Sequence, residues 1–158
     1  MQGEKRLIGS RRGRRPAAVV GWLVTLAVLM AAGGCSAAGE RADLGQALED
    51  SLAAVRSVGL VVDLLQDGQT TRAAATVTAQ DMGEEIGKAQ RQLVDVRGTT
   101  AEIRSWRAQT QAVLTLALVA VQDTTDDLAN GQDLSPAAAR LSAVERSIED
   151  TAAVVGER

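Results

Sequence analysis

Few residues of this 158-residue chain could carry covalent chemistry. The chain has no histidine, and Cys35 is its only cysteine. A serine or cysteine nucleophile needs a base beside it, and that base is usually histidine. A serine–lysine pair would have to use Lys88, the only lysine after Lys5. Glu84 precedes Lys88 by four residues, which is the spacing of an ordinary ion pair on a helix. We therefore expect a protein that is not an enzyme.

Carboxylates are the remaining candidates for holding a metal ion. Zinc sites made of cysteine and histidine are excluded by the composition, and so are di-iron sites built on Glu-x-x-His. Four aspartates lie close together near one predicted turn: Asp123, Asp126, Asp127 and Asp133. Their spacing matches no EF-hand loop, and adjacent carboxylates do not face each other on a helix. We expect a solvated acidic turn here, with no metal site and no cofactor.

Trp106 is the side chain best suited to contact a partner through a large apolar surface. It is the only aromatic residue after Trp22, since the chain has no Phe and no Tyr. Ile103 lies three residues before it, which puts both side chains on one face of a helix and favours a position in the core. Tryptophan is also frequent among the residues that dominate protein interfaces. An exposed contact with a partner is therefore the alternative.

Charge is divided unevenly along the chain. Residues 1–16 carry six basic side chains and one acidic one, whereas the chain from Cys35 onward has 11 basic and 19 acidic residues, a net charge of −8. Binding to nucleic-acid phosphates requires clustered Lys and Arg, so we expect no nucleic-acid partner. The same negative charge argues against electrostatic docking of this part on anionic lipid.

The amino terminus has the organisation of a secretory signal. The basic residues 1–16 precede AAVVGWLVTLAVLMAA, residues 17–32, which carry no charge and are followed by small residues. A basic region, an apolar region and small residues in this order are typical of signal peptides. We assign residues 1–34 to a signal peptide or membrane anchor.

The end of this segment, Ala32-Gly33-Gly34-Cys35, resembles the lipobox of bacterial lipoproteins, with Ala32 where leucine is usual. The resemblance implies that Cys35 becomes the mature amino terminus and carries acyl chains. Those chains would hold the protein on the outer face of the cytoplasmic membrane, and several are needed because one chain binds a bilayer only marginally. The 15 arginines and two lysines indicate a GC-rich bacterial genome, such as that of an actinobacterium.

Two other interpretations of the amino terminus stay open. Cleavage after Ser36-Ala37-Ala38 would release a secreted protein. Alternatively, residues 17–39 form an uncharged stretch of 23 positions, which suffices for a retained, single-pass transmembrane helix. The basic residues would then lie on the cytoplasmic side.

The exported part is predicted to open with a linker, residues 35–41, and to continue as one helical domain, residues 42–158. Asp43 is the predicted N-cap of the first helix, and Asp67-Gly68 is its predicted end. Apolar residues recur at helical spacing between them: Leu44, Leu48, Leu52, Val55, Val58, Val62 and Leu65.

The second predicted helix has a heptad pattern of the coiled-coil type. Its apolar positions are Ala75, Ala79, Met82, Ile86, Ala89, Leu93 and Val96. Gly83 and Gly87 make one face small, and a small face lets another backbone approach closely. We expect these two glycines to serve close packing within a bundle.

Gly98 interrupts the helical pattern. The residues after it, Thr99-Thr100-Ala101-Glu102, predict a capping box with Thr99 as N-cap. A kink in one long helix over residues 71–129 is the alternative. The third helix contains VLTLALVAV, residues 113–121, which we expect to be buried nearly all round, and Asn130-Gly131 ends it. Its inward face consists of Ile103, Trp106, Thr110, Val113, Ala117, Ala120, Thr124 and Leu128.

The fourth predicted helix begins at Ser135-Pro136, with Ser135 as N-cap. Its inward face consists of Leu141, Val144, Ile148, Ala152 and Val155. Short connections make neighbouring helices antiparallel, so the predicted fold is all-α: an up-down four-helix bundle preceded by an apolar signal or anchor helix. We expect a binding or structural role at the cell envelope, with a protein partner or by self-association. A sensory or ligand-binding bundle on an uncleaved transmembrane helix is the alternative.

Overall fold

The computed structural model describes the backbone of residues 17–156 and the side chains of residues 37–156. It contains four helices: α1 (Ala17–Gln66), α2 (Arg72–Asp95), α3 (Ala101–Asn130) and α4 (Ser135–Gly156). Within the described backbone there is no strand, which confirms the all-α prediction. The chain from Ser36 onward is one compact unit. The predicted signal or anchor helix lies outside the residues whose side chains are described.

Hydrogen bonds between α1 and α4 show that these two helices are antiparallel. Near the beginning of the compact unit, Arg41 donates through Nε to the carbonyl oxygen of Val155 at 2.6 Å. Fifteen residues later, Arg56 forms ion pairs with Glu145 at 2.6 Å and Glu149 at 2.5 Å. The contacts on α4 thus move toward its amino terminus as those on α1 move toward its carboxyl terminus.

The same pattern relates α2 to α3. At the start of α2, Arg72 donates to the carbonyl oxygen of Leu128 at 3.1 Å. Near the other end, the amide of Gln90 lies 3.4 Å from the hydroxyl of Thr115. Helix α3 also packs on α4. These contacts, together with the short turns between consecutive helices, form the predicted bundle.

The core contains every position that the periodicity placed on an inward face. All of those side chains are buried or pack directly against the buried cluster. Further residues widen the inward faces of the helices: Ala47, Ala54, Val61, Leu114, Val121 and Ala137. The core is therefore broader than a narrow heptad seam, as expected for the helices of a globular bundle.

Glycines lie in the turns that follow three of the helices, where the sequence predicted breaks. Gly68, Gly98 and Gly131 have φ angles of 69°, 71° and 71°, a left-handed conformation that glycine adopts without strain. Gly131 donates to the carbonyl oxygens of Asp127 and Leu128 at the end of α3. Gly98 is thus a turn between α2 and α3, and the alternative of one kinked helix is wrong.

The compact unit begins differently from the prediction. Residues 37–41, which the sequence suggested as a linker, are helical and belong to α1, so Asp43 lies inside a helix instead of capping one. The physical reason is tertiary contact: Glu40 is buried against Thr99, and Arg41 binds Val155. Sequence periodicity does not reveal contacts of this kind.

Two predicted caps are also displaced by one or two residues. Thr100, not Thr99, caps α3, because its hydroxyl accepts from the N–H of Ile103 at 3.1 Å. Ser135 is the first residue of α4 and does not cap it. The carboxylate of Asp133 accepts from the backbone N–H and from the hydroxyl of Ser135, both at 3.0 Å.

The apolar stretch at residues 113–121 is less buried than predicted. Leu116 and Val119 are 57% and 48% exposed. A helix in a four-helix bundle has neighbours on two sides and solvent on a third, so even an apolar stretch keeps one outward stripe.

Candidate binding groove

An open groove of about 640 Å³ lies between α2 and α3. Its apolar floor includes Ala79, Leu118 and Val121, and the α2 side is opened by Gly83 and Gly87. A Cβ atom at Gly83 would lie 3.6 Å from a methyl group of Val121, which is an ordinary van der Waals distance. Packing of α2 on α3 therefore does not require glycine there, contrary to the sequence prediction. The absent side chain instead leaves the groove open.

The rim of the groove carries charges of both signs and several amides. Glu84 and Arg91 lie on the α2 side, and Asp126 lies on the α3 side. Gln80 and Gln122 add neutral donors and acceptors. This set can form hydrogen bonds and ion pairs with polar groups of a bound molecule, while the floor provides apolar contact. The hydroxyl of Thr125, which also lines the groove, donates to the carbonyl oxygen of Val121 at 2.8 Å.

A second recess, of about 300 Å³, lies between the same two helices near their connecting turn. Val94 lines it and is 78% exposed. Arg104 and Arg107 also line it, and both hold the turn: Arg104 donates to the carbonyl oxygen of Gly98 at 2.9 Å, and Arg107 donates to that of Val96 at 2.6 Å. We refer to the two recesses together as the α2–α3 groove.

A cluster of contacts joins the first described turn of α1 to the rest of the bundle. The carboxylate of Glu40 accepts from the hydroxyl of Thr99 at 2.6 Å and from its backbone N–H at 3.1 Å. The hydroxyl donor is the main reason that the pKa of Glu40 is lower than usual. Next to it, Arg41 binds the carbonyl of Val155 and lies over the ring of Trp106, 5.5 Å from the ring centre. We call these five residues the α1 clasp.

Trp106 lies in the core. Its side chain is 9% exposed and belongs to the buried cluster together with Ile103. The guanidinium of Arg41 covers part of the ring, an arrangement stabilised by cation–π attraction. The structure therefore favours the core role of Trp106 over an exposed contact with a partner.

Lys88 pairs with a different carboxylate from the one predicted. Its Nζ lies 2.6 Å from Oε1 of Glu85, three residues earlier. The predicted partner was Glu84. The hydrogen bond to Glu85 is the main reason that the pKa of Lys88 is raised. Both side chains are about half exposed, so this pair contributes little to stability.

The aspartates of the acidic turn are not gathered around one point. Asp127 pairs with Arg140 at 2.6 Å, and Asp133 accepts hydrogen bonds from Ser135. Those bonds lower the pKa of Asp133. Among the side chains that the structure describes, no three acidic or cysteine groups lie close enough together to hold a metal ion.

No protein-family model, curated protein or solved structure matches this chain. Cys35, the predicted lipidation site, lies outside the residues whose side chains are described. Among the residues whose side chains are described, none of the helices has a stretch both long enough and apolar enough to cross a membrane.

Sequence reasoning missed the groove and the clasp. The groove had a signal, because Gly83 and Gly87 lie one turn apart on α2, but the same pattern also indicates close packing of helices. The clasp had no signal, because Glu40 and Thr99 are separated by 59 positions and the capping box at Thr99 predicts only local hydrogen bonds.

Proposed function

We propose that this protein is tethered outside the cytoplasmic membrane through Cys35 and binds another protein through the α2–α3 groove, without catalysis. The signal-like residues 1–34 and the lipobox-like sequence before Cys35 support the tether. The groove is the single observation that supports the binding role. The absence of histidine from the whole chain supports a role without acid–base or nucleophilic catalysis.

The form of the groove favours a protein segment over a small molecule. Small-molecule sites usually enclose most of the ligand's surface, whereas this groove is open along its length and has a charged rim. An apolar floor with polar margins is the usual arrangement of a protein interface. The exposed Val94, in the second recess, extends the apolar surface beyond the first one.

Site-specific photo-crosslinking in intact cells tests this binding role. A photoreactive amino acid at Gln122, which is exposed and lines the groove, should form a crosslinked complex of defined size. The substitution Gly83→Leu fills the groove and should abolish that complex. Gly59→Leu is the matched control, because Gly59 lies on α1 with open space around it. A complex that survives Gly83→Leu unchanged would place the partner elsewhere.

The second candidate function is a sensory or ligand-binding bundle on an uncleaved single transmembrane helix. The uncharged stretch at residues 17–39 favours it, because 23 such positions suffice to cross a bilayer. The two candidates differ in whether Cys35 is acylated. They share the same bundle and the same groove.

A further inference from the structure

The two ends of the bundle differ in net charge. We define the anchor end as residues 37–43, 89–107 and 150–156, and the far end as residues 60–78 and 124–141. The anchor end has five arginines and five carboxylates, so it is neutral overall. The far end has two arginines and five aspartates, a net charge of −3.

The anchor end is also the end that the chain enters after Cys35. Four residues separate Cys35 from Glu40, so even an extended chain spans only about 18 Å between them. The bonds of Glu40 to Thr99 bring the α2–α3 turn to this same end. The far end lies at the other end of α3, whose 30 residues span about 45 Å.

We infer that the anchor end is a membrane-facing surface, with Arg97 of the α2–α3 turn against anionic phospholipid headgroups and the acidic far end pointing away from the bilayer. This inference rests on the tether proposed above. Arg97 is exposed and lies at the tip of the turn. An anionic leaflet attracts basic side chains within about one Debye length and repels carboxylates, so the charge distribution favours this orientation over its reverse. The net charge of −8 from Cys35 onward conceals this difference between the two ends.

Energy transfer from tryptophan to dansyl-labelled headgroups measures the orientation. The full chain with Trp22→Phe, reconstituted into vesicles containing phosphatidylglycerol, reports from Trp106 at the anchor end. A second chain with Trp22→Phe, Trp106→Phe and Gln132→Trp reports from the far end. We expect several-fold more efficient transfer from the first chain. Equal or reversed efficiencies would overturn the inference.

A charge reversal tests the role of the headgroups. In vesicles containing phosphatidylglycerol, Arg97→Glu should lower the transfer from Trp106, whereas in phosphatidylcholine vesicles it should have no effect. Arg146→Glu is the matched control, because Arg146 is exposed on α4, outside both ends, and hydrogen bonds only within its own helix. If Arg97→Glu and Arg146→Glu change the transfer from Trp106 equally in the anionic vesicles, Arg97 does not contact the headgroups.

The test does not depend on acylation of Cys35. We expect the uncleaved chain to insert into the vesicle through its apolar residues 17–34, which keeps Cys35 at the bilayer with or without acyl chains. A chain that takes up no fatty acid in cells but shows the expected transfer would contradict the lipid tether and support the orientation. A chain that takes up fatty acid in cells but shows equal or reversed transfer would support the lipid tether and contradict the orientation.

Discussion

At the scale of single residues, the core holds two kinds of buried hydroxyl. Thr124 donates to the carbonyl oxygen of Ala120 at 2.7 Å, one turn earlier. Thr110 and Ser51 are equally buried, but within the described part of the chain their hydroxyls have no hydrogen-bond partner. A buried hydroxyl without a partner destabilises the folded state because its hydration is lost without replacement.

A matched pair of substitutions follows from this difference. Thr110→Val should raise the free energy of unfolding by about 1 kcal/mol, because it removes an unsatisfied hydroxyl at nearly constant shape. Thr124→Val should lower it by about 1 kcal/mol, because it removes a hydrogen bond that is made. Urea denaturation followed by circular dichroism measures both. If the two variants shift the midpoint in the same direction by the same amount, the distinction between the hydroxyls is incorrect.

The α1 clasp predicts a pH dependence. The pKa of Glu40 is lowered in the folded state by the bonds from Thr99, so the stabilisation is present above the unfolded-state pKa of about 4.3. It is lost as the pH falls through that value and then through the lower folded-state pKa. As the pH is lowered from 7 to 3, the urea midpoint should fall more steeply for the wild type than for Glu40→Gln, whose side chain does not titrate. Parallel curves would show that Glu40 does not carry this dependence.

At the scale of the helices, the glycines of α2 should be replaceable. A Cβ atom at Gly83 or Gly87 would meet its nearest neighbour at 3.6 Å or 3.5 Å. Alanine is favoured over glycine within a helix by up to about 1 kcal/mol, so Gly83→Ala and Gly87→Ala should each raise the free energy of unfolding by up to about that amount. A loss of stability in either variant would mean that α2 packs more tightly on its neighbours than described.

The turn glycines should behave in the opposite way. Gly98 and Gly131 both have φ of 71°, which costs an alanine roughly 1 kcal/mol. At Gly98 a Cβ atom would also lie 2.5 Å from Cγ of Arg104, whereas at Gly131 it would meet nothing within 4 Å. Gly98→Ala should therefore lower the thermal midpoint more than Gly131→Ala. Equal losses would show that Arg104 moves aside without cost.

The periodicity of the sequence was sufficient to predict the helices and their inward faces. A buried side chain must recur every three or four residues, and no tertiary knowledge is needed to find it. Caps were predicted less well, because Thr99 and Thr100 are equally good cap residues by type. Their assignment depends on Glu40, which binds Thr99 and leaves Thr100 to cap α3.

The candidate site could not be predicted in the same way. A groove exists only once two helices lie side by side at a fixed register, and the sequence does not state that register. The burial predicted for the apolar stretch around Leu116 and Val119 was wrong for a related reason. Composition indicates how apolar a segment is, but not which side of it the neighbouring helices leave uncovered.

At the scale of the whole molecule, three features belong together: a signal-like amino terminus, a short connection from Cys35, and a helical bundle with an open groove. The groove and the membrane-facing end both take their biological meaning from the proposed tether, because the tether determines the compartment in which the bundle meets a partner.

Metabolic labelling with an alkyne fatty acid, followed by membrane fractionation of the wild type and of Cys35→Ser, tests the tether most directly. Cys35 is the only cysteine, so no second thiol competes for the label. We expect labelled wild-type protein in the membrane fraction and no label on Cys35→Ser. Wild-type protein that stays in the membrane fraction without label would contradict the lipid tether and favour a retained helix.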